Sequence, residues 1–318
     1  MIRRKVIKLV SQVSARTRVI RTIDRINGRK GGVIVVFHQP TYDVLSSQLG
    51  YLAEVYTFVS LDEFVGRLEG GKSTIGLAAI TFDDGVGAVT EAGATLALKY
   101  GWPMTFYLPT RYLDTGEPYW FLELDHLLRA AAGQTLEVNG ISFPLTDSKS
   151  LSRTSEALRK QFKKLSTAEE ATALLKQIRR SLFGSSDRPG GLRVPSPIPW
   201  DRVRKLATHE EISFQAHTIN HLAVSRLSTS ALMEELEGSR RRIQEVTGKE
   251  VHHFCYPYGS PDEIGTSAPA TVRKLFRSGT TTGRGRCASG VDLALLPRIP
   301  LDEADTEEVV ALKVGSAR

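Results

Sequence analysis

Two adjacent aspartates follow a run of small apolar residues in the stretch AAITFDDGVG, residues 78–87. Neighbouring carboxylates repel each other, and burying them is costly unless a metal ion, a proton or a cation compensates. Because side chains alternate across an extended strand, Asp83 and Asp84 should point in different directions where the strand ends. The pair therefore predicts a bound ion, with one carboxylate as a ligand and the other beside it as a base.

A second polar motif follows another strand-like run: AHTINH, residues 216–221, comes directly after ISFQ. His217 and His221 are four residues apart, so one helical turn or a tight loop lets both imidazoles face one ion. Two histidines and one carboxylate are a common ligand set for a catalytic zinc or a similar divalent metal, with positions left open for water and substrate. We therefore predict that the two motifs share a metal ion.

Each motif alone has an ordinary explanation. An isolated Asp-Asp-Gly is most often a turn with solvated acids, and an isolated histidine pair at this spacing is usually structural. The presence of both motifs in one chain favours the metal. The aspartate pair also suits the metal of a nucleotide-sugar glycosyltransferase, where the cation bridges a diphosphate, but that alternative leaves both histidines without a role.

Short apolar runs alternate with helical patterns before residue 111 and after residue 199, as expected for repeated β-α units around a parallel sheet or barrel. Capping-box patterns at Ser60 with Glu63 and at Ser166 with Glu169 predict two helix starts, and the longest helix is predicted for residues 228–249. The strand-like runs are residues 32–37, 56–60, 77–82, 104–108, 212–216, 252–256 and 294–299.

Residues 111–199 interrupt this alternation. Asn139-Gly140 in LEVNGISF indicates a hairpin, because this dipeptide suits a left-handed turn between alternating strands. Residues 184–199 are rich in Gly, Pro and Ser and predict a loop. We predict a mostly helical insertion that helps to shape a substrate groove.

Three motifs together resemble those of a known family. TFDDG, HTINH and FCYPYG, which begin at residues 81, 217 and 254, are similar in order and context to the motifs of polysaccharide deacetylases of the NodB-homology type, carbohydrate esterase family four. The resemblance covers roughly residues 33–110 and 199–300. It implies an α/β fold, a distorted (β/α) barrel with its site at the carboxyl ends of the strands. It also implies a metal-dependent hydrolase that removes N-acetyl or similar N-acyl groups from amino sugars of a polysaccharide or glycan precursor.

The resemblance implies a role for each motif residue. Asp84, His217 and His221 are expected to bind the divalent metal, most often zinc, and Asp83 is expected to act as the general base. Arg298, in a segment similar to the last strand of the exopolysaccharide-deacetylase branch, is expected to hold Asp83 by a charge-assisted hydrogen bond. The implied substrate is an N-acetylated glycan.

Two further roles follow from flanking segments. Tyr258, after Pro257, matches the position whose backbone N–H helps to form the oxyanion hole and whose ring lines the sugar site. VVFHQP resembles the end of the first strand in the same branch, so His38 is expected to protonate the leaving amine.

Some positions depart from the family pattern. Cys255 stands about where more familiar members carry an arginine, and Phe214 and Gln215 replace small residues before the metal histidines. These departures keep open a catalytically inactive relative that only binds carbohydrate.

The basic residues are concentrated at the amino terminus. The chain carries +7, but residues 1–30 hold ten Lys or Arg against one acid, so this segment carries +9 and the remainder −2. Its apolar positions lie near one helical face, which suits an anionic membrane surface or a basic helix packed on the protein itself. The body offers no basic stripe with interleaved aromatic residues, so we expect no nucleic-acid partner.

We therefore divide the chain into a basic amphipathic segment, residues 1–31, and a deacetylase-like barrel, residues 32–318, with the insertion at about 111–199. Two cysteines are too few for a disulfide framework, which suits a reducing compartment. Lys8 interrupts the apolar core that a signal peptide needs. We expect a cytoplasmic location, with peripheral membrane attachment and export as open alternatives.

Overall fold

A computed structural model describes residues 31–317, and parallel strands form the centre of this part of the chain. An antiparallel hairpin, β5 and β6, lies apart from them. The strands are β1 Val33–Phe37, β2 Thr57–Phe58, β3 Leu77–Phe82, β4 Met104–Leu108, β5 Thr135–Val138, β6 Ile141–Pro144, β7 Ile212–Ala216, β8 His253–Cys255, β9 Ser278–Thr280 and β10 Ile299–Pro300.

The parallel strands follow the order β10-β1-β3-β4-β7-β8-β9, and β2 pairs with the start of β3. A single segment then links the two edges of this sheet. The backbone of Leu296 donates to Gly279 and accepts from Thr281 beside β9, and Ile299 pairs with Val35 of β1. The sheet therefore curls into the distorted (β/α) barrel that the resemblance implied.

The central strands are apolar because both of their faces are covered. Every residue of β1 and β4 is buried, as is typical of parallel strands packed between side chains on the inside and helices on the outside. Phe37, Phe82, Phe106 and Phe214 form a row across four neighbouring strands, with ring centroids 5.3, 4.8 and 5.7 Å apart. Such pairs add about 0.5–1.5 kcal/mol each beyond their buried area, so the row helps to fix the register of the strands that carry the two motifs.

Twelve α-helices lie within residues 31–317, and none of them is long and apolar enough to cross a bilayer. They are α1 Tyr42–Ala53, α2 Leu61–Glu69, α3 Gly87–Tyr100, α4 Thr110–Thr115, α5 Trp120–Ala130, α6 Ser148–Phe162, α7 Ala168–Phe183, α8 Trp200–Leu206, α9 Thr229–Thr247, α10 Pro261–Ile264, α11 Ala268–Leu275 and α12 Glu307–Gly315.

Two predicted boundaries are wrong. The last strand was expected at residues 294–299, but residues 293–295 form a 3₁₀ helix, because the side chain of Asp292 accepts the N–H of Ala294 and caps the turn. The helix expected to begin at Ser166 begins one residue later. Thr167 is its cap, since its hydroxyl accepts the N–H of Glu170 and the Glu170 carboxylate accepts the N–H of Thr167.

Residues 111–199 contain α4 except its first residue, α5 to α7 and the β5-β6 hairpin. The predicted turn is confirmed, with Asn139 at φ 53° between β5 and β6. The ring of Trp120 on α5 stacks on Phe162 of α6 at 4.1 Å, so this segment has an apolar contact of its own beside the barrel. The proposed division into segments 1–31 and 32–318, with an insertion at 111–199, stays a prediction, and residues 1–30 lie outside the described part of the chain.

Candidate active site

The chain turns sharply where β3 ends. Asp84 and Gly85 both have a left-handed backbone, with φ 70° and 66°. The backbone carbonyl of Asp84 accepts a hydrogen bond from the buried hydroxyl of Tyr119. A left-handed conformation costs a residue with a side chain about 1–3 kcal/mol, so the surrounding contacts have to hold Asp84 in place. The turn sends the carboxylates of Asp83 and Asp84 in different directions, as the alternation of a strand predicts.

A second strained loop, residues 217–221, follows β7 and carries both histidines; it is called the histidine loop below. Thr218 and His221 have φ 65° and 55°, and the hydroxyl of Thr218 accepts the N–H of His221 at 2.9 Å. Glu235, a buried residue of α9, accepts the backbone N–H groups of Ile219 and Asn220 at 2.8 and 2.9 Å. The loop is therefore fixed from within by a hydroxyl and from α9 by a carboxylate.

Asp84, His217 and His221 converge in the structure. The Oδ1 atom of Asp84 lies 3.5 Å from Nε2 of His217 and 3.2 Å from Nε2 of His221, and all three side chains are buried. One atom from each residue lies within 4.8 Å of the other two. The Nδ1 atom of His217 lies 2.7 Å from the carbonyl oxygen of Cys255, so this imidazole is oriented with Nε2 toward the cluster.

The charges of this cluster suit a divalent cation. Burial acts to raise the pKa of the Asp84 carboxyl, but hydrogen bonds from His217 and His221 outweigh it, and the pKa lies well below its usual range. Burial lowers the pKa of the His221 imidazole, which favours the neutral form that a metal needs. Burial acts in the same direction on His217, but Cys255 and Asp84 outweigh it and raise the pKa of that imidazole well above its ordinary value, so a metal has to displace a proton from His217. An ionised carboxylate and two imidazoles at this separation fit the ligand set of a catalytic site with open positions.

Arg298 holds the second aspartate. Its guanidinium donates to both carboxylate oxygens of Asp83 at 2.7 Å, to the carbonyl of Thr281 at 2.9 Å and to the sulfur of Cys255 at 3.1 Å. Burial acts to raise the pKa of the Asp83 carboxyl, but the charge and hydrogen bonds of Arg298 outweigh it, and the pKa lies below its ordinary value. Asp83 is therefore ionised beside the cluster.

His38 and Tyr258 lie on two sides of these groups. The Nε2 atom of His38 is 3.5 Å from Oδ2 of Asp83, and its side chain is 44% exposed, so it borders solvent. Tyr258 has a left-handed backbone, φ 63°, directly after Pro257, and its hydroxyl donates to the carbonyl of His221 at 3.1 Å. Within residues 31–317 no protein acceptor receives the backbone N–H of Tyr258.

The structure thus brings together the side chains to which the resemblance gave a catalytic, metal-binding or sugar-lining role: His38, Asp83, Asp84, His217, His221, Tyr258 and Arg298. Phe214 and Gln215, which depart from the family pattern, do not reach the cluster. Phe214 belongs to the phenylalanine row, and the amide oxygen of Gln215 accepts the N–H groups of His252 and His253. Both residues therefore join β7 to neighbouring strands.

Two supporting residues were missed by sequence reasoning. Tyr119 supports the turn at Asp84, and Glu235 supports the histidine loop. The only available sequence signal was that Glu235 lies on the side of a predicted helix that faces the core. The helical pattern alone does not distinguish Glu235 from its acidic neighbours.

Comparison with known proteins agrees with this geometry. Residues 70–275 match the family model for polysaccharide deacetylases. The chain therefore belongs to the polysaccharide deacetylase family, a family of hydrolases that remove acetyl groups from polysaccharides. A search of curated proteins finds no match to the sequence.

Solved structures share the fold at low identity. The Streptococcus pyogenes deacetylase PplD in complex with acetate is 14% identical, with a TM-score of 0.57 over 89% of this chain and 97% of that one. IcaB from Ammonifex degensii is 16% identical, with a TM-score of 0.54 over 90% and 98%. The de-N-acetylase from Aggregatibacter actinomycetemcomitans is 16% identical, with a TM-score of 0.54 over 89% and 98%.

Replacing Arg298 by methionine should leave the Asp83 carboxylate buried without its cation. We expect the free energy of unfolding at pH 7 to fall by about 3–5 kcal/mol. In the variant, unopposed burial raises the pKa of Asp83, so the loss should shrink as the pH falls through that raised pKa toward the ordinary value of an aspartate, because protonation removes the buried charge. Urea denaturation from pH 7 to about pH 4, near the ordinary pKa of an aspartate, measures both effects.

Two further variants complete this test. Asp83→Asn added to Arg298→Met should recover stability, because the unpaired carboxylate is gone. Arg67→Met, which removes a half-exposed partner of Glu63, should cost less than about 1 kcal/mol. Equal losses in the single and double variants would show that the buried pair is not the cause.

Proposed function

We propose that the protein removes N-acetyl groups from amino-sugar residues of a polysaccharide or a glycan precursor with the help of a bound divalent metal, most often zinc for this ligand set. The observation that carries the proposal is the position of an ionised, arginine-held carboxylate, Asp83, directly beside the Asp84, His217 and His221 cluster. Hydrolysis of an amide needs a polarised carbonyl and a base that accepts a proton from water. A metal on the cluster would supply the first, and Asp83 would supply the second.

A metal held by Asp84, His217 and His221 would polarise the acetamide carbonyl and lower the pKa of water at the site. Asp83 would accept the proton of the attacking water. Its two oxygens remain hydrogen-bonded to Arg298, so the carboxylate keeps one orientation while it accepts the proton. Correct orientation of such a base contributes about 10²–10⁴-fold to the rate.

Two further groups would act on the developing charges. The backbone N–H of Tyr258 would donate to the negative oxygen of the tetrahedral state, a type of donor worth roughly 3 kcal/mol in acyl transfer. His38, beside Asp83 and open to solvent, would protonate the amine as the C–N bond breaks. The Tyr258 ring, held by its hydroxyl on the carbonyl of His221, would line the sugar site.

The similar structures support acetate as the released acid. The Streptococcus pyogenes protein was solved with acetate, and the Aggregatibacter actinomycetemcomitans protein is described as a de-N-acetylase. The glycosyltransferase alternative gains no support, since it leaves unexplained why His217 and His221 converge on Asp84. Among the departures from the family pattern, neither Phe214 nor Gln215 disrupts the cluster, so these two residues give no support to an inactive carbohydrate-binding protein. An assay of acetate release tests that alternative.

Acetate release from N-acetylated amino-sugar oligomers tests the proposal. We expect release by the zinc-loaded protein, loss on chelation, and recovery when zinc is added back. Asp83→Asn should lower kcat by about 10²–10⁴-fold, because the base is removed. The control Glu250→Gln changes an exposed acid just before the amino end of β8 and should leave kcat unchanged. No release from any N-acylated glycan by metal-loaded protein would reject the proposal.

A second experiment addresses His38 alone. His38→Gln should lower kcat on an acetamide by about 10²-fold or more, because the amine leaves poorly without a proton. An aryl acetate needs no such proton, so its hydrolysis should fall at least about tenfold less. His209→Gln, at an exposed turn before β7, is the matched control. Equal losses on both substrates would assign His38 a role other than proton donor.

The cytoplasmic location, with residues 1–30 on an anionic membrane surface, also stays a proposal. Cell fractionation of the full chain and of a chain that lacks residues 1–30 tests it. A smaller membrane-bound fraction for the shortened chain is expected, and equal fractions would contradict membrane attachment through this segment.

A further inference from the structure

Positive charge within the folded part of the chain is concentrated beside the candidate active site. Residues 148–193 hold eleven Lys or Arg and four Asp or Glu, a net charge of +7. Since residues 1–30 carry +9 and the whole chain +7, all the remaining residues together carry −9. An acidic barrel therefore carries a strongly basic helical segment, and the proposed deacetylation of a neutral sugar gives no reason for it.

Residues 148–193, called the basic segment from here on, and the barrel line a cavity of about 310 Å³. Its walls are formed by α4 and α5, by α7 and the loop that follows α7, and by Asn220 of the loop that carries both histidines. Four cationic side chains line it: Arg111, Lys176, Arg179 and Arg188.

The buried carboxylate of this cavity does not neutralise these cations. Glu123 lies 2.6 Å from a guanidinium nitrogen of Arg179 and 3.3 Å from one of Arg188, so two guanidinium groups share one carboxylate. Among residues 31–317, neither Arg111 nor Lys176 forms an ion pair with a carboxylate. Two exposed acids, Glu117 and Asp187, complete the charged lining.

Arg111 connects the cavity to the candidate active site. Its Nη1 atom donates to Oδ1 of Asn220 at 3.4 Å, and its backbone N–H donates to the carbonyl of Ile219 at 3.0 Å. Asn220 directly precedes His221 in the loop that Glu235 holds. A group bound at Arg111 would thus lie next to the loop that carries both histidines.

We propose that this cavity binds an anionic group of the substrate, a carboxylate or a phosphate carried by the glycan close to the reacting amino sugar. The proposal rests on the proposed function and narrows its substrate class to acidic glycans. Guanidinium groups match the geometry of carboxylates and phosphates, and a cleft lined by cations concentrates anions at its mouth. The charged group would hold the neighbouring sugar while the acetamide is presented to Asp83.

Binding of unreactive probes tests the subsite apart from turnover. The full-length protein is titrated calorimetrically with a neutral glucose tetramer, with a tetramer in which alternate residues are uronates, and with a short alkyl ester of glucose diphosphate. We expect at least one anionic probe to bind about tenfold or more tightly than the neutral one at about 0.15 M salt. The tighter of the two identifies the source of the charge, a uronate in the polymer or the diphosphate of a lipid-linked precursor.

Two variants separate the subsite from general attraction by the basic segment. Arg111→Gln should lower affinity for the anionic probe by about tenfold or more. Lys149→Gln removes the same charge from an exposed side chain of residues 148–193 that does not line the cavity. At about 0.15 M salt, where the Debye length is about 8 Å, it should change affinity less than about twofold.

The outcomes distinguish this proposal from the proposed function. Equal affinity for neutral and anionic probes, or equal effects of Arg111→Gln and Lys149→Gln, would overturn the anionic subsite even if acetate is released. Tight, Arg111-dependent binding without acetate release from any acidic or neutral N-acetylated oligomer would keep the subsite and reject the deacetylase activity.

Discussion

The burial of two adjacent carboxylates is the constraint on which the site depends. Asp83 and Asp84 are both almost inaccessible to solvent, and two uncompensated charges there would outweigh much of the stability of a domain this size. The charge of each carboxylate is compensated in a different way. Arg298 neutralises Asp83 through two hydrogen bonds, while His217 and His221 converge on Asp84 and leave a position that suits a cation. The base and the ligand can therefore be neighbours in sequence and differ in function.

Local strain accompanies this arrangement. Of the five non-glycine residues with a left-handed backbone within residues 31–317, four lie in the loops that build the site, and the fifth, Asn139, forms the hairpin turn. Outliers of this kind persist only where the surrounding structure fixes them. Here the hydroxyl of Tyr119 and the carboxylate of Glu235 offset part of that cost, because both satisfy backbone groups of the strained loops.

The sequence predicts the motif-bearing strands and the residues of the site well because the relevant signals are local. An acid pair after an apolar run and a histidine pair after another run define two strand ends, and parallel topology brings them to one edge of the barrel. The supporting contacts are not local. Glu235 follows His221 by a whole loop and almost two turns of α9. Nothing in the helical pattern distinguishes its carboxylate from that of Glu234. The late strand was misplaced for a related reason, since the cap at Asp292 competes with an apolar run that looks extended.

The charge distribution adds a second level to this account, because the catalytic groups explain the barrel but not the basic helices beside it. We expect the two motifs to share one cation, and anomalous diffraction at the zinc edge from crystals grown with zinc tests this most directly. The account predicts one strong peak about 2.0–2.2 Å from a carboxylate oxygen of Asp84 and from Nε2 of both His217 and His221. Zinc bound elsewhere, with these three side chains bearing no peak between them, would contradict it.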